Sequence, residues 1–185
     1  MDENERNALL ENVNEPVTQP GDVFQLGQHR LVCGDSTEKS TYEALMQGDK
    51  AQLCFTDPPY NVDYKSASNL TYSSEKYGGA GNKVFNDNQT DDQFLAFCTQ
   101  VLNRIYENTQ DNMTLYWWLA SKNMDINMQA WKDAKFYFSQ QIVWIKNGMV
   151  FSRGQDYHRC FEPCMLGWKQ GKSHYRITKI ANLKD

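Results

Sequence analysis

The chain has 185 residues, of which 40% are hydrophobic and 23% charged, enough for one globular domain that buries roughly 70% of the surface its unfolded chain exposes. It holds no run of about 18 apolar residues, and Met1 to Glu15 is acidic and Asn-rich instead of basic and then apolar, so neither a membrane span nor a signal peptide is expected and the location that follows is cytoplasmic. The net charge of -4 argues on average against a polyanionic partner, since phosphate contacts need Lys and Arg.

The average hides an asymmetry. Residues 1–131 carry 9 basic and 19 acidic side chains, whereas residues 132–185 carry 10 basic and 4 acidic, a local balance of +6. One face suited to a polyanion would give this pattern, and so would an ordinary solvated charged surface. The five cysteines (Cys33, Cys54, Cys98, Cys160, Cys164) are odd in number and scattered among apolar neighbours, which predicts reduced thiols and no disulfide framework.

In chain order, residues 1–21 are polar, acidic and interrupted by Pro16 and Pro20, and are expected to form a loose arm before a folded part over 22–185. Val23 to Leu26 and Arg30 to Cys33 flank Gly27-Gln28 and predict a tight hairpin. Ser36 or Thr37 is expected to cap a short helix through about Gln47, with Gly48 as its stop. Ala51 to Thr56 predicts a strand that runs into Asp57. From Asp63 to Asn88 no periodicity appears among Ser, Gly, Asn and Tyr, which predicts a long loop with the role of a lid. The glycines Gly78, Gly79 and Gly81 follow no apolar strand, so that cluster reads as loop flexibility. Phe94, Leu95, Phe97, Cys98, Val101, Leu102 and Ile105 recur at helical spacing behind Asp91 and Asp92, whose charge suits a helix start. Met113 to Leu119 predicts a strand, Lys122 to Ala134 a helix, Phe136 to Ile145 one or two strands, and Cys160 to Trp168 another. Strands alternating with helices predict an α/β fold with parallel pairing at the centre of its sheet and antiparallel strands at the edges.

The residues that carry chemistry are Asp57-Pro58-Pro59-Tyr60, which the preceding strand delivers to the carboxyl end of the sheet, where open α/β sheets place ligands. Proline fixes its own φ and restricts the residue before it, so Asp57 and Pro58 form a rigid ledge of acceptors. An exocyclic base amine is a poor nucleophile because its lone pair is delocalised into the ring. Two acceptors, the Asp57 carboxylate and the Pro58 carbonyl, would hold its N–H bonds in the tetrahedral geometry that attacks a methyl sulfonium. Tyr60 offers a face on which an extruded base stacks. The plain alternative is a Pro-rich turn in which Asp57 caps and Tyr60 packs.

Gly21 to Thr37, then Thr56-Asp57-Pro58-Pro59-Tyr60-Asn61-Val62-Asp63-Tyr64, Asn86-Asp87, Val143-Trp144-Ile145-Lys146, Asp156-Tyr157-His158, Glu162-Pro163 and Gly167-Trp168-Lys169 together resemble the N4/N6 DNA methylases, in the circularly permuted order with the Asp-Pro-Pro-Tyr block first and of the phage and prophage type. The resemblance spans about residues 21–175. It implies a partial Rossmann-like methyltransferase sheet with flanking helices, S-adenosylmethionine as cofactor and double-stranded DNA as partner. The activity implied is methyl transfer to adenine N6, with cytosine N4 as the near alternative, in a DNA-modification setting such as restriction-modification. It gives Asp57, Pro58, Pro59 and Tyr60 the catalytic role. Asp35, with Asp57, becomes a contact for the cofactor, the alternative for Asp35 being helix capping. Lys146, Arg153, Tyr157, His158 and Arg159 become contacts for DNA. No metal is implied, since Glu162-Pro163 divides Cys160 from Cys164. In the permuted order the glycine-rich element that holds the methionine end of the cofactor comes downstream, and no such element precedes Asp185. The chain is accordingly expected to be a fragment, the catalytic half of the domain, with an incomplete cofactor pocket and a tendency to self-associate. A catalytically inactive, vestigial DNA-binding module is the reading from another class.

Overall fold

The computed structural model describes residues 17–63, 87–150, 156–157 and 159–175. Order begins slightly before Asp22: the Gln19 amide donates to the Asp22 carboxylate (2.8 Å) and the Gly21 amide to the Cys33 carbonyl (2.7 Å), while residues 1–16 of the expected arm lie outside the described residues. Strands β1 (Val23–Leu26) and β2 (His29–Val32) form the expected antiparallel hairpin. Gly27 takes φ +63° at the first turn position, which a side chain there would resist.

Helix α1 (Lys39–Met46) starts later than expected and has no side-chain cap. Its N-cap residue is Glu38, not Ser36 or Thr37. Gln47 (φ 49°) and Gly48 (φ 91°) both turn left-handed and end it, and Arg30 donates to the Leu45 carbonyl (2.7 Å), satisfying a carbonyl of the last turn. Helix α2 (Asp91–Asn108) has the predicted periodicity: Phe94, Cys98, Val101, Leu102 and Ile105 are its buried stripe. Thr90 and Gln93 close a reciprocal capping box at its start. A 3₁₀ turn (Ser121–Asn123) leads into α3 (Met124–Asp133).

The main sheet contains β3 (Ala51–Thr56), β4 (Thr109–Trp118), β5 (Phe136–Val150) and β6 (Arg159–Lys169), in the order β3-β4-β6-β5. β3 and β4 are parallel, and β6 runs antiparallel to both β4 and β5. The mixed α/β class agrees with expectation, and within the described residues its parallel part is the β3–β4 pair. Met113, Leu115 and Trp117 alternate along β4 into the core, where Met165, Phe136 and Trp131 join the stripe of α2. Leu53 and Phe55 project to the opposite face and stay 54% and 63% exposed. Among the described residues no helix is long and apolar enough to cross a membrane.

All five cysteines are free. Burial pushes the Cys54 thiol up to about 11 and that of Cys98 up to about 12, so both remain protonated packing groups at neutral pH. Lys169 closes the far end of the sheet: its buried ammonium donates to the Thr109 carbonyl (2.7 Å) and lies 4.4 Å from the centre of the Tyr106 ring, with desolvation lowering its pKa.

β6 fits between β4 and β5 beneath Trp131 only because residue 167 has no side chain. A Cβ on Gly167 would sit 1.9 Å from the Tyr137 carbonyl oxygen and 2.6 Å from the Trp131 ring. Gly167→Ala therefore forces backbone apart and should cost about 1–3 kcal/mol or more, read as a lower urea midpoint at unchanged slope. An unchanged midpoint would show that the strands approach less closely.

Candidate functional site

Parallel register sets Thr56 beside Trp117, so Asp57 emerges at the end of β3 where β4 is also ending. On the neighbouring strands Trp118 lies opposite Cys164 and Trp144 opposite Glu162. This register produces a cleft of about 300 Å³ lined by Phe55, Asp57, Tyr60, Trp118, Trp144 and Glu162. Its aromatic walls meet edge to face: Phe55 and Trp118 have ring centres 5.9 Å apart at 63°, Trp118 and Trp144 6.3 Å apart at 81°. The volume lies at the low end of small-molecule sites, about 300–1,000 Å³.

Within the cleft the Tyr60 hydroxyl donates to Asp57 Oδ1 at 2.5 Å. Partial burial, then the hydrogen bond to Asp57, then the charges of Asp57 and Glu162, raise the phenol well above its ordinary range. Tyr60 therefore stays protonated at neutral pH and donates to Asp57. Across the cleft Glu162 is ion-paired with Lys146, whose ammonium also stands 5.6 Å from the centre of the Trp144 ring.

The loop after Tyr60 is held from two sides. Asn61, at φ 56°, accepts from the Gln89 amide through Oδ1 (2.7 Å) and donates through Nδ2 to the Gln89 carbonyl (3.1 Å). The Val62 amide donates to Asp87 Oδ1 (3.1 Å) and the Asp63 amide to the Asp87 carbonyl (2.7 Å). From the other side Asn123 Nδ2 donates to the carbonyls of Tyr60 (2.6 Å) and Asn61 (3.1 Å). Of the expected lid region, Asp63 and Asp87 enter this arrangement, and 64–86 lie outside the described residues.

The structure thus brings Asp57, Pro58, Pro59 and Tyr60 together, with Lys146 at the rim of the same cleft. Asp35 stands in its own turn, its Oδ1 accepting from both the amide and the hydroxyl of Thr37 at 2.8 Å. Tyr157 is 87% exposed, and Arg159 is half-buried at the start of β6, opposite Val150. Arg153 and His158 lie outside the described residues. Among the described residues no group of three or more His, Cys, Asp or Glu is arranged to hold a metal ion. Sequence reasoning gave no part in the site to Trp118, Asn123 and Asn127 and met Asn61, Trp144 and Glu162 only as parts of a resemblance. One signal was present: Asn123 and Asn127 sit four apart, in register with Ala130 and Trp131, and so place two amides on the apolar face of a helix.

The family model described as DNA methylase, for N6 and N4 methyltransferases, matches residues 51–184. No curated protein matches the chain. Among solved structures, the crystal structure of M1.HpyAVI is similar at 16% identity and a TM-score of 0.51, covering 82% of this chain and 62% of that one. The crystal structure of the M1.HpyAVI-SAM complex is similar at 15% identity and a TM-score of 0.47, covering 75% and 54%. The first of these is a likeness of fold, and this chain spans only about half to three-fifths of the length of either. Because the family match takes in well over half of the sequence, the chain belongs to the N6/N4 DNA methylase family.

Proposed function

We propose that the protein methylates the N6 amine of adenine in double-stranded DNA, with Asp57, Pro58, Pro59 and Tyr60 as the catalytic loop. The observation that carries this reading is the Asp57–Tyr60 couple at the mouth of an aromatic cleft. Tyr60 occupies Oδ1 of Asp57 and so leaves Oδ2 to accept an N–H of the target amine, with the Pro58 carbonyl as second acceptor. Held in that way, the amine nitrogen turns its lone pair outward. The base itself must leave the duplex to reach this ledge. Tyr60, Trp118 and Trp144 supply faces for stacking it, each contact worth about 1–3 kcal/mol.

An acidic group among aromatic rings also suits a sulfonium cation, so these residues fit the family's cofactor. S-adenosylmethionine, when bound, supplies an electrophilic methyl on positively charged sulfur. Asp57 borders its reacting end, and Asp35, whose Oδ1 accepts within its own turn, offers its adenosine end a carboxylate. Residues 22–185 form the catalytic half of the methylase domain in this reading, following an arm over 1–21. Lys146, Arg153, Tyr157, His158 and Arg159 form the side that meets DNA. The edge at β3, open among the described residues and with Leu53 beside it, is the proposed surface for self-association, since unpaired strand edges with apolar neighbours recruit further chains.

With isotopically labelled S-adenosylmethionine and double-stranded DNA, the protein as the cell makes it should place label in N6-methyldeoxyadenosine. Label in N4-methyldeoxycytidine would overturn the adenine assignment, and no label in DNA would favour a vestigial DNA-binding module. Asp57→Ala should reduce transfer at least roughly 10- to 100-fold, the equivalent of losing a charged hydrogen bond of about 1.5–3 kcal/mol, and activity within about threefold of wild type would sink its role. Tyr60→Phe keeps the ring but frees Asp57 Oδ1, so it should be impaired, and much less than Tyr60→Ala.

For DNA, binding should weaken steeply with salt. Arg159→Ala should lower the slope of log affinity against log salt by about 0.9, the value of one phosphate contact. Lys146→Ala should change the slope little, because Glu162 already matches that charge, and an unchanged slope in Arg159→Ala would remove Arg159 from the interface. Leu53→Lys should shift sedimentation towards monomer, and identical profiles would place association elsewhere.

A further inference from the structure

We propose that Asn123 is a positioning residue for the Asp57–Tyr60 loop, fixing the peptide that follows Tyr60 from inside the core; this rests on reading that loop as the methyl-transfer site. Asn123 is 4% exposed and its single carboxamide nitrogen donates to two successive loop carbonyls, those of Tyr60 at 2.6 Å and Asn61 at 3.1 Å. Two carbonyls aimed at one donor define the orientation of both peptide planes, so the backbone cannot flip there without leaving buried polar groups unpaired.

The donor is itself anchored. The Asn123 amide bonds back to the Ala120 carbonyl (3.0 Å), and its own carbonyl accepts from Asn127 Nδ2 (2.7 Å). Asn127 Oδ1 in turn accepts from the indole N–H of Trp117 (2.7 Å), which is fully buried on β4. A continuous line of hydrogen bonds therefore runs from the centre of the sheet through the start of α3 to the loop. On the loop's other side Asn61 holds a left-handed φ of 56°, which asparagine tolerates better than most residues with a side chain and which its surroundings keep in place. The bonds from Gln89 and from Asn123 are those surroundings. Between them stands Tyr60, whose hydroxyl orients Asp57. A loop free to shift by an ångström would misplace the carboxylate relative to the amine, an error to which positioned reactions are steeply sensitive.

Asn123→Asp tests the assignment, because it keeps the size of the side chain and replaces the shared N–H donor with oxygen facing two carbonyl oxygens. Amide hydrogen exchange at residues 60–63 should quicken by about tenfold or more while that of α2 stays within about twofold. A uniform rise across both, the mark of general destabilisation, or no rise at 60–63, would overturn the proposal. In case the variant does not fold, the unaltered protein provides a second measurement: the Asn123 carboxamide protons should show nuclear Overhauser contacts to the backbone of Tyr60 and Asn61, and their absence would also overturn it. In methyl transfer, counted per molecule of bound cofactor, Asn123→Asp should lower kcat by about tenfold with both KM values little changed. Looser exchange with an unaltered kcat would refute a positioning role. Absence of transfer in the wild type would instead refute the methylase reading of the loop, leaving the exchange and Overhauser results to judge the anchor.

Discussion

The indole N–H of Trp117 is hydrogen-bonded inside a core that also contains Met113, Leu115, Phe94, Leu102 and Met165, where an unpaired buried donor costs about 1–3 kcal/mol. The acceptor is Asn127, whose amide then needs an acceptor in its turn, and Asn123 provides one. Each satisfied group creates the next requirement, and the series ends at the carbonyls of the loop that carries Asp57 and Tyr60. Packing of the sheet against α3 and placement of the site are thus one problem with one solution. A core made wholly of apolar groups would bury the same helix and leave the loop without an address.

The electrostatics of the cleft follow from the same frame. Antiparallel register puts Glu162 opposite Trp144, two residues from Lys146, so the acid and its cation arise on adjacent strands without any loop to arrange them. Lys146 neutralises Glu162, and among the described residues no cation pairs with the Asp57 carboxylate. Tyr60 hydrogen-bonds one of its oxygens and remains protonated, because burial and the surrounding acids all oppose its ionisation. The cleft therefore holds the Asp57 carboxylate, one of its oxygens oriented by Tyr60, among aromatic rings.

Local chemistry made much of this legible in the sequence. The stripe of α2, the hairpin around Gly27, the stop at Gly48 and the strand leading into Asp57 all follow from periodicity or backbone restriction within a few residues. The strand order did not follow, because β6 enters between β4 and β5 through contacts made across long sequence separations and a close approach at Gly167. The start of α1 was misplaced because Asp35, not the cap of a helix, organises the turn before it. Asn123 and Asn127 were overlooked for a related reason. An asparagine reads as a loop or surface residue unless its partners are known, and here the partners are backbone groups and the Trp117 indole, from segments up to 63 residues away.

Phe55 links the two unequal faces of the sheet. The face covered by α2 and α3 is closed, whereas Leu53 and Phe55 stand on the other with more than half of their surface exposed. Phe55 also lines the cleft and touches both Tyr116 and Trp118 edge-on or tilted at 5.9 Å. Any element that packs on this face consequently presses on a wall of the site. Apolar area and shape are coupled through that ring: covering it removes a hydrophobic surface from water, worth about 25 cal/mol per Å², and fixes the position of Trp118 in the same step. Closure of the exposed face and completion of the cleft are therefore energetically linked, in the same way that closure of the opposite face is linked, through Trp117, to placement of the loop.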